Sequence, residues 1–376
     1  MSGMVAPRFV AAHAAADDWA AAAASCAEQL TLLPDGANLG FVYASDGLAG
    51  DLPRILPFLR QRTRIADWVG SVGLGVCASG QEFFGVPALV VLAAALPADG
   101  YAVFGPQSSG TRGAAVLQSE WLRRVRPMLG IVHGDPRDAA VATTVATLAR
   151  EASLFLVGGL AAASGAPIQV AGRVVEGGIS GVLLAPDIPV ITGLTQGCSP
   201  IGPTRRISEA RDNIIMAIDD RPALDVFKED IGELLSRDLK RVAGLVFAAF
   251  PVAGSDTGDY LVRNLVAIDV QRQWLAVAHT VASGDPVLFC RRDPASAAAD
   301  LQRLLADLKR RAGGTPRAGL YFSCVARGPN LFGEPSQELR IIRDALGEFP
   351  LAGFFGNGEI AHDRIYGYTG VLALFL

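Results

Sequence analysis

The feature that most constrains this chain is that it repeats itself. Three segments, at about 37–95, 128–185 and 318–376, follow one plan. Each opens with a short apolar run: Asn38-Leu39-Gly40-Phe41-Val42, Leu129-Gly130-Ile131-Val132 and Gly319-Leu320-Tyr321-Phe322. Each run meets a turn-forming stretch: Ser45-Asp46-Gly47, His133-Gly134-Asp135-Pro136 and Arg327-Gly328-Pro329-Asn330. Apolar residues then recur three and four apart, which marks one face of a helix. They are Leu52, Ile55, Leu56 and Leu59; then Val141, Val145 and Leu148; then Leu339, Ile342 and Leu346. A glycine signature follows, Gly70-Ser71-Val72-Gly73-Leu74-Gly75 in the first copy and Gly353-Phe354-Phe355-Gly356-Asn357-Gly358 in the last. Gly158, Ala161 and Ala163 take the equivalent places in the middle copy. A closing apolar run ends each unit, at 88–93, 182–185 and 371–375. Gly70 lies 17 residues before Pro87, and Gly353 lies 17 before Gly370. Spacing held at both ends of a chain is the mark of an internal repeat.

The module reads as strand–helix–strand–strand. One such module alone exposes an apolar sheet face, so modules must pack against each other. The expectation is an α/β fold: repeated strand–helix–strand–strand modules forming packed sheets with helices outside. The first and last copies match best, which predicts pseudo-twofold related halves. A degenerate fourth copy is expected at 242–290, where short apolar runs at 245–247, 265–269 and 274–277 are bounded by turn residues. Asp220 and Pro222 punctuate the start of a helix running through Leu234 to Val242. Asp293 and Pro294 start another, with Leu301, Leu304, Leu305 and Leu308 on one face.

Composition narrows the function classes. The chain has 376 residues, 51% of them hydrophobic, and a mean hydropathy of +0.34. It can bury enough apolar surface to fold, which excludes a disordered chain. With 33 basic against 37 acidic residues the net charge is −4, which argues against a nucleic-acid binder. The longest charge-free stretch, Ala152 to Gly172, has the length of a membrane span. Gly158, Gly159, Gly165 and Pro167 interrupt it, so it reads as strand plus loop. No apolar secretory segment follows Arg8. The five cysteines, Cys26, Cys77, Cys198, Cys290 and Cys324, are widely spaced and form no CxxC pair. Reduced thiols in a cytoplasmic protein are the expectation, with no metal site and no cofactor.

Gly73-x-Gly75-x-x-Ala78 and Gly356-x-Gly358-x-x-Ala361 match the alanine form of the dinucleotide fingerprint. That fingerprint requires a helix directly afterwards to hold the pyrophosphate. Here turn-like residues follow, so the glycines read as tight strand exits. Cys198 lies in the dense loop from Gln196 to Pro203, and Cys324 stands three residues before Arg327, whose charge favours a thiolate. Each cysteine is alternatively a small buried hydrophobe. Arg263, Asn264, Arg327, Asn357 and Glu359 sit among apolar strands, where polar groups need partners. Either they line one polar pocket suited to a small zwitterion or carboxylate, with arginine as acceptor-binding fork, or they are salt-bridged structural residues. Asn213 leads into another apolar run, 214–218.

Several stretches together resemble the FIST family of paired FIST N and FIST C domains. They are Gln196 to Pro203, the Asn213-led run with Arg221-Pro222-Ala223-Leu224 after it, Leu261-Val262-Arg263-Asn264, and Pro350 to Ile360. The resemblance divides the chain into an N-terminal helical extension at 1–35, a FIST N-like domain at 36–220 and a FIST C-like domain at 221–376. It implies a small-ligand-binding sensory protein of bacterial signalling, with amino acids among the ligands suggested for such domains. Only about 35 residues precede the first module, too few for the F-box of eukaryotic relatives. The resemblance makes Arg263, Asn264, Cys324, Arg327, Asn357 and Glu359 the ligand-binding candidates, with Gln196, Cys198 and Asn213 secondary. It supplies no catalytic residues. The expected partners are a small molecule and a signalling protein, with no nucleic acid and no membrane, and oligomeric state is left open. Two rivals stand beside this reading: a cysteine-dependent enzyme using Cys324 or Cys198, and a protein-interaction module.

Overall fold

In each repeat a helix carries the chain between two parallel strands. The computed structural model describes residues 8–30, 33, 35–108, 115–242, 244–254 and 258–376. Strands Leu39–Ser45, Leu129–Gly134 and Ala318–Cys324 open the three repeats. Each lies parallel to the next long strand of its own repeat: Asp67–Gly73, Phe155–Leu160 and Leu351–Gly356. A parallel pair needs a crossover. Helices Leu52–Thr63, Val141–Ala152 and Gln337–Leu346 supply it, burying the apolar faces read from the spacing. The closing strands, Ala88–Ala95, Ile179–Leu184 and Thr369–Phe375, run antiparallel on the other side of the opening strands.

The short hairpin of each repeat leaves its own sheet. The hairpin begun by Gly75–Ala78 pairs with Leu351–Gly356 of the third repeat. That begun by Glu359–His362 pairs with Phe155–Leu160 of the second. That begun by Gln169–Ala171 pairs with Asp67–Gly73 of the first. The exchange closes after three steps, and this corrects the expected twofold relation of halves. The middle copy is a full member although alanine replaces two of its signature glycines.

Each repeat also holds one more strand and helix than the sequence module. Arg8–Ala15, Tyr101–Gln107 and Val190–Gln196 each pair with the closing strand of a repeat, giving three six-stranded sheets of one strand order. Helices Trp19–Gln29, Glu120–Val125 and Pro294–Ala312 complete the set. The expected helical extension at 1–35 is thus corrected: residues 8–15 are the outer strand of the first sheet, and only 19–29 are helical. Residues 1–7, 31, 32 and 34 of that extension lie outside the described residues.

Close approach fixes one glycine per repeat. Gly70, Gly158 and Gly353 lie opposite Val42, Val132 and Tyr321 across the parallel pairs. A Cβ added there would stand 1.8, 1.7 and 1.8 Å from the carbonyl oxygens of those partners, inside any possible contact. One residue further along the opening strands come Tyr43, His133 and Phe322, one from each repeat, and they meet. Their ring centroids lie 5.6, 6.2 and 6.1 Å apart, and Tyr43 Oη is 3.3 Å from His133 Nε2. Burial lowers the His133 pKa to about 3, so the ring stays neutral.

Residues 196–300 form a second compact unit, inserted in the third repeat between its outer strand and its first helix. Its strands are all antiparallel and close on themselves. The order is Pro286–Arg292, Arg205–Arg211, Ile214–Ile218, Trp274–Val277, Tyr260–Asp269, Val246–Pro251 and back to the first. Helix Ala223–Ser236 packs Leu224 and Phe227 into the core with Ile215, Leu275 and Phe289. The expected fourth module is therefore corrected: the predicted runs are strands, but they pair antiparallel with their neighbours, and among the described residues no crossover helix joins them. Asp220 does not cap the helix. It occupies a left-handed turn at φ 59°, and the helix starts after Pro222. Asp293 does cap, accepting from Ser296 N at 2.9 Å. Among the described residues no helix is long and apolar enough to cross a membrane. The charge-free stretch holds strand Phe155–Leu160, a loop and the short strand Gln169–Ala171.

Candidate functional site

The opening strand of each repeat ends, or is directly followed, by a side chain that anchors the loop before the closing strand. Ser45 accepts from Ala88 N at 2.8 Å and donates to Val86 O at 2.9 Å. Asp135 accepts from Gly177 N. Cys324 Sγ accepts from Tyr368 N and Ala326 N. Cys324 therefore fills a place that the sibling repeats give to serine and aspartate. Its thiol is pushed up to about 12, by burial first and then by Glu359, against the weaker pull of Arg327. Of the two readings of Cys324, burial favours the small buried hydrophobe over the arginine-activated thiolate.

Arg327 is spent elsewhere. It is wholly buried, and its Nε donates to Glu338 Oε1 at 2.7 Å, with Nη2 at 2.7 Å from the same oxygen. Glu338 is equally buried and also accepts from Tyr321 Oη at 2.6 Å, Gly328 N at 3.0 Å and Ser323 Oγ at 3.3 Å. This network has no counterpart in the first repeat. Five residues after Tyr43 stands Leu48, where five after Phe322 stands Arg327. Helix Leu52–Thr63 buries Ile55 beside Leu56, where helix Gln337–Leu346 buries Glu338 beside Leu339. The same fold thus exists with an apolar pair at the place where the third repeat holds an ion pair.

Glu359 completes the cluster from the exchanged hairpin. Its Oε2 accepts from Thr369 Oγ1 at 2.7 Å and Thr369 N at 3.2 Å. Burial, which outweighs these bonds and the charge of Arg327, pushes its pKa up to about 8. Three wholly buried polar atoms of the cluster meet no hydrogen-bond partner, Nη1 and Nη2 of Arg327 and Oε1 of Glu359, and of these Nη2 is in ion-pair contact with Glu338. The cluster lies at the carboxyl ends of the parallel strands Ala318–Cys324 and Leu351–Gly356, where open α/β sheets characteristically bind ligands. Phe332 covers the guanidinium with its ring centroid 5.3 Å from Cζ, and Phe332 is itself only half-buried.

Three of the nine candidates, Cys324, Arg327 and Glu359, come together here. Asn357 stands two residues before Glu359 but is exposed, and its backbone N donates to Leu160 O at 3.0 Å. Arg263, Asn264, Gln196, Cys198 and Asn213 belong to the inserted unit. There Arg263 Nη1 donates to Val262 O at 2.9 Å, and Asn264 is exposed with its carbonyl taken by Ala278 N. Asn213 ties its turn to Val277 O at 3.1 Å. Gln196 donates to Tyr260 O at 3.3 Å, and the Cys198 carbonyl accepts from Tyr260 Oη at 2.6 Å. Glu338, Tyr321, Ser323 and Thr369 are the members that sequence reasoning missed. Glu338 stands fifteen residues before Gly353 as Ile55 stands fifteen before Gly70, so a charge occupies a place that the first repeat fills with a buried apolar residue.

An open cavity of about 470 Å³ marks the corresponding strand end of the second repeat, lined by Asp135, Arg137, Asp138 and Glu176. Arg137 forks onto Asp135 and reaches Glu176 at 3.3 Å. Among the described residues no cluster of histidine, cysteine and acidic side chains could hold a metal ion.

Comparison with known proteins agrees with the sequence resemblance. The chain is 34% identical over 214 residues to uncharacterized protein Rv0628c of Mycobacterium tuberculosis. It is 31% identical over 213 residues to uncharacterized protein Mb0898c of Mycobacterium bovis. The matched stretches cover 54% of this chain in both cases, and 55% and 54% of the relatives, so the chain spans about half the length of the curated relatives it matches. Residues 38–221 match the FIST N domain and residues 223–362 the FIST C domain, and with most of its length accounted for in this way the chain belongs to the FIST family.

Proposed function

We propose that this protein is a small-ligand-binding sensor whose ligand is a small zwitterion of the amino-acid class, held between Arg327 and Glu359. FIST domains are associated with sensory and signal-transduction functions. The observation that carries the reading is the pair of buried, unpartnered atoms of opposite character, Arg327 Nη1 and Glu359 Oε1. A buried donor or acceptor left without a partner costs about 1–3 kcal/mol. A ligand carboxylate at Nη1 and a ligand ammonium at Oε1 would meet both needs. The ion pair that holds the guanidinium in place is a poor stability device, because buried pairs roughly break even against apolar packing. Leu48 and Ile55 in the first repeat show the cheaper apolar solution within this chain. Retaining arginine and glutamate at a cost to stability supports a binding role. Entry runs past the half-buried Phe332 ring.

A thermal-shift panel of amino acids, plain carboxylates and plain amines tests this. A fitting amino acid at 100 times its dissociation constant stabilises by about 2.7 kcal/mol. Glu359→Gln removes the ammonium partner and is expected to lower that response at least tenfold in ligand concentration. No amino acid raising the melting temperature, or an undiminished response in the variant, would overturn the assignment. The cysteine-enzyme reading finds no support at Cys324, whose thiol is held protonated by burial and by the neighbouring Glu359 carboxyl.

A further inference from the structure

The inserted unit carries two cysteines outside the proposed ligand site. Cys198 lies on the three-residue strand Cys198–Pro200, which runs antiparallel to Pro286–Arg292 at the outer edge of the sheet. Cys198 faces Arg292 and Pro200 faces Cys290. Residues two apart in a strand share a face, so Cys198 and Cys290 are diagonal neighbours on one face. Both are buried, at 4% and 0% exposure, and both are free thiols. The two thiols interact, and the Cys198 side chain together with burial pushes the Cys290 thiol pKa up. The other cysteines are placed differently. Cys26 is on helix Trp19–Gln29, and Cys77 and Cys324 lie on strands separated by Leu351–Gly356.

We infer that Cys198 and Cys290 are an oxidation site, forming an intramolecular disulfide when a peroxide accepts their two electrons. Cys198 sulfur attacks one oxygen of hydrogen peroxide, the O–O bond breaks, and a sulfenic acid and one water form. Cys290 sulfur then attacks the sulfenic sulfur, the S–S bond forms, and its proton leaves with the hydroxyl as a second water. Position assigns the roles: Cys198 lies on the three-residue edge strand and is the less buried of the two, so it is the sulfur presented for attack, and Cys290 resolves the sulfenic acid.

Closure has a structural consequence. A disulfide holds its Cβ atoms about 3.8 Å apart. Diagonal neighbours in a sheet start wider, with Cα atoms about 7–8 Å apart and Cβ atoms somewhat less. The short edge strand must therefore shift toward Cys290. That shift pulls the Cys198 carbonyl away from the Tyr260 hydroxyl, which holds it at 2.6 Å in the reduced form. Oxidation thus remodels the first residues of the inserted unit.

The test uses the full chain titrated with hydrogen peroxide, denatured, and counted for free thiols with a chromogenic disulfide reagent. The count is expected to fall from five to three and to return to five after dithiothreitol. A non-reducing peptide map should show one linked pair containing residues 198 and 290. Cys324→Ser should still lose two thiols, Cys198→Ser should keep all four that remain, and Cys290→Ser should lose only the Cys198 thiol and form no intramolecular linkage. Five thiols persisting in the wild type would overturn the inference. So would over-oxidation without linkage, or a linkage that involves Cys26, Cys77, Cys324 or a second chain. The wild-type map decides the matter even where a serine variant fails to fold.

Discussion

Glu338→Gln should destabilise the protein far more than its conservative shape suggests. The variant leaves the Arg327 guanidinium wholly buried without its carboxylate. Breaking a buried pair from one side costs about 3–5 kcal/mol. Adding Arg327→Met removes the stranded charge. What remains is hydrogen bonding: Glu338 serves Tyr321 Oη, Ser323 Oγ and Gly328 N, and a glutamine keeps only one carbonyl oxygen. One buried donor left unmet costs about 1–3 kcal/mol. The double variant should therefore be more stable than Glu338→Gln alone, by about 2 kcal/mol on the midpoints of those ranges. Urea unfolding followed by tryptophan fluorescence reads this out, with the wholly buried Trp68 among the reporters. Losses that add across the two sites, or a double variant weaker than the single, would refute the reasoning that the pair is an ionic substitute for the apolar pair Leu48 and Ile55.

Further outcomes are expected. Gly353→Ala places a methyl 1.8 Å from Tyr321 O and 2.9 Å from Cys77 Sγ, so it should cost on the order of 4 kcal/mol or more, against less than about 0.5 kcal/mol for Gly314→Ala in open space; equal melting temperatures for the two would contradict the close approach of the strands. Burial raises the folded pKa of Glu359 to about 8 from an ordinary carboxyl value of 4.5. Its contribution to stability is complete below the unfolded value and is lost as pH rises through about 8. Wild type should thus lose stability relative to Glu359→Gln between pH 5 and pH 8, and parallel pH profiles would count against the burial of that carboxyl. Phe332→Ala opens the path to Arg327 and should speed the amino-acid on-rate in stopped flow; an unchanged rate would place entry elsewhere.

Much of the α/β framework was legible because its determinants are local. The faces of Leu52–Leu59, Val141–Leu148 and Leu339–Leu346 are periodic, and the glycine signature marks positions that no side chain can occupy. The threefold exchange was not legible. Gly75–Ala78 finds its partner at Leu351–Gly356, a pairing across most of the chain with no local trace. The outer strands of the repeats were missed because Arg8–Ala15 and Tyr101–Gln107 are half-buried edges with weak alternation, and the third, Val190–Gln196, is cut off from its repeat by residues 196–300. In the candidate site, Cys324, Arg327 and Glu359 were visible as polar residues among apolar strands. Glu338 was not, because a glutamate on a helix ordinarily faces water. Arg263 and Asn264 were grouped with them because nothing in their neighbourhood announces that the inserted segment folds as its own unit.

The central claim is that Arg327 and Glu359 together receive a zwitterion. Isothermal titration calorimetry of the wild type at pH 7, with a stabilising amino acid, in two buffers of different ionisation enthalpy, tests it most directly. Glu359 is largely protonated at that pH, since burial holds it near 8, and it must ionise to take an ammonium group. The account predicts that binding releases close to one proton in the wild type, and none in Glu359→Gln. Binding with no proton release in the wild type, or the same release in both proteins, would contradict it.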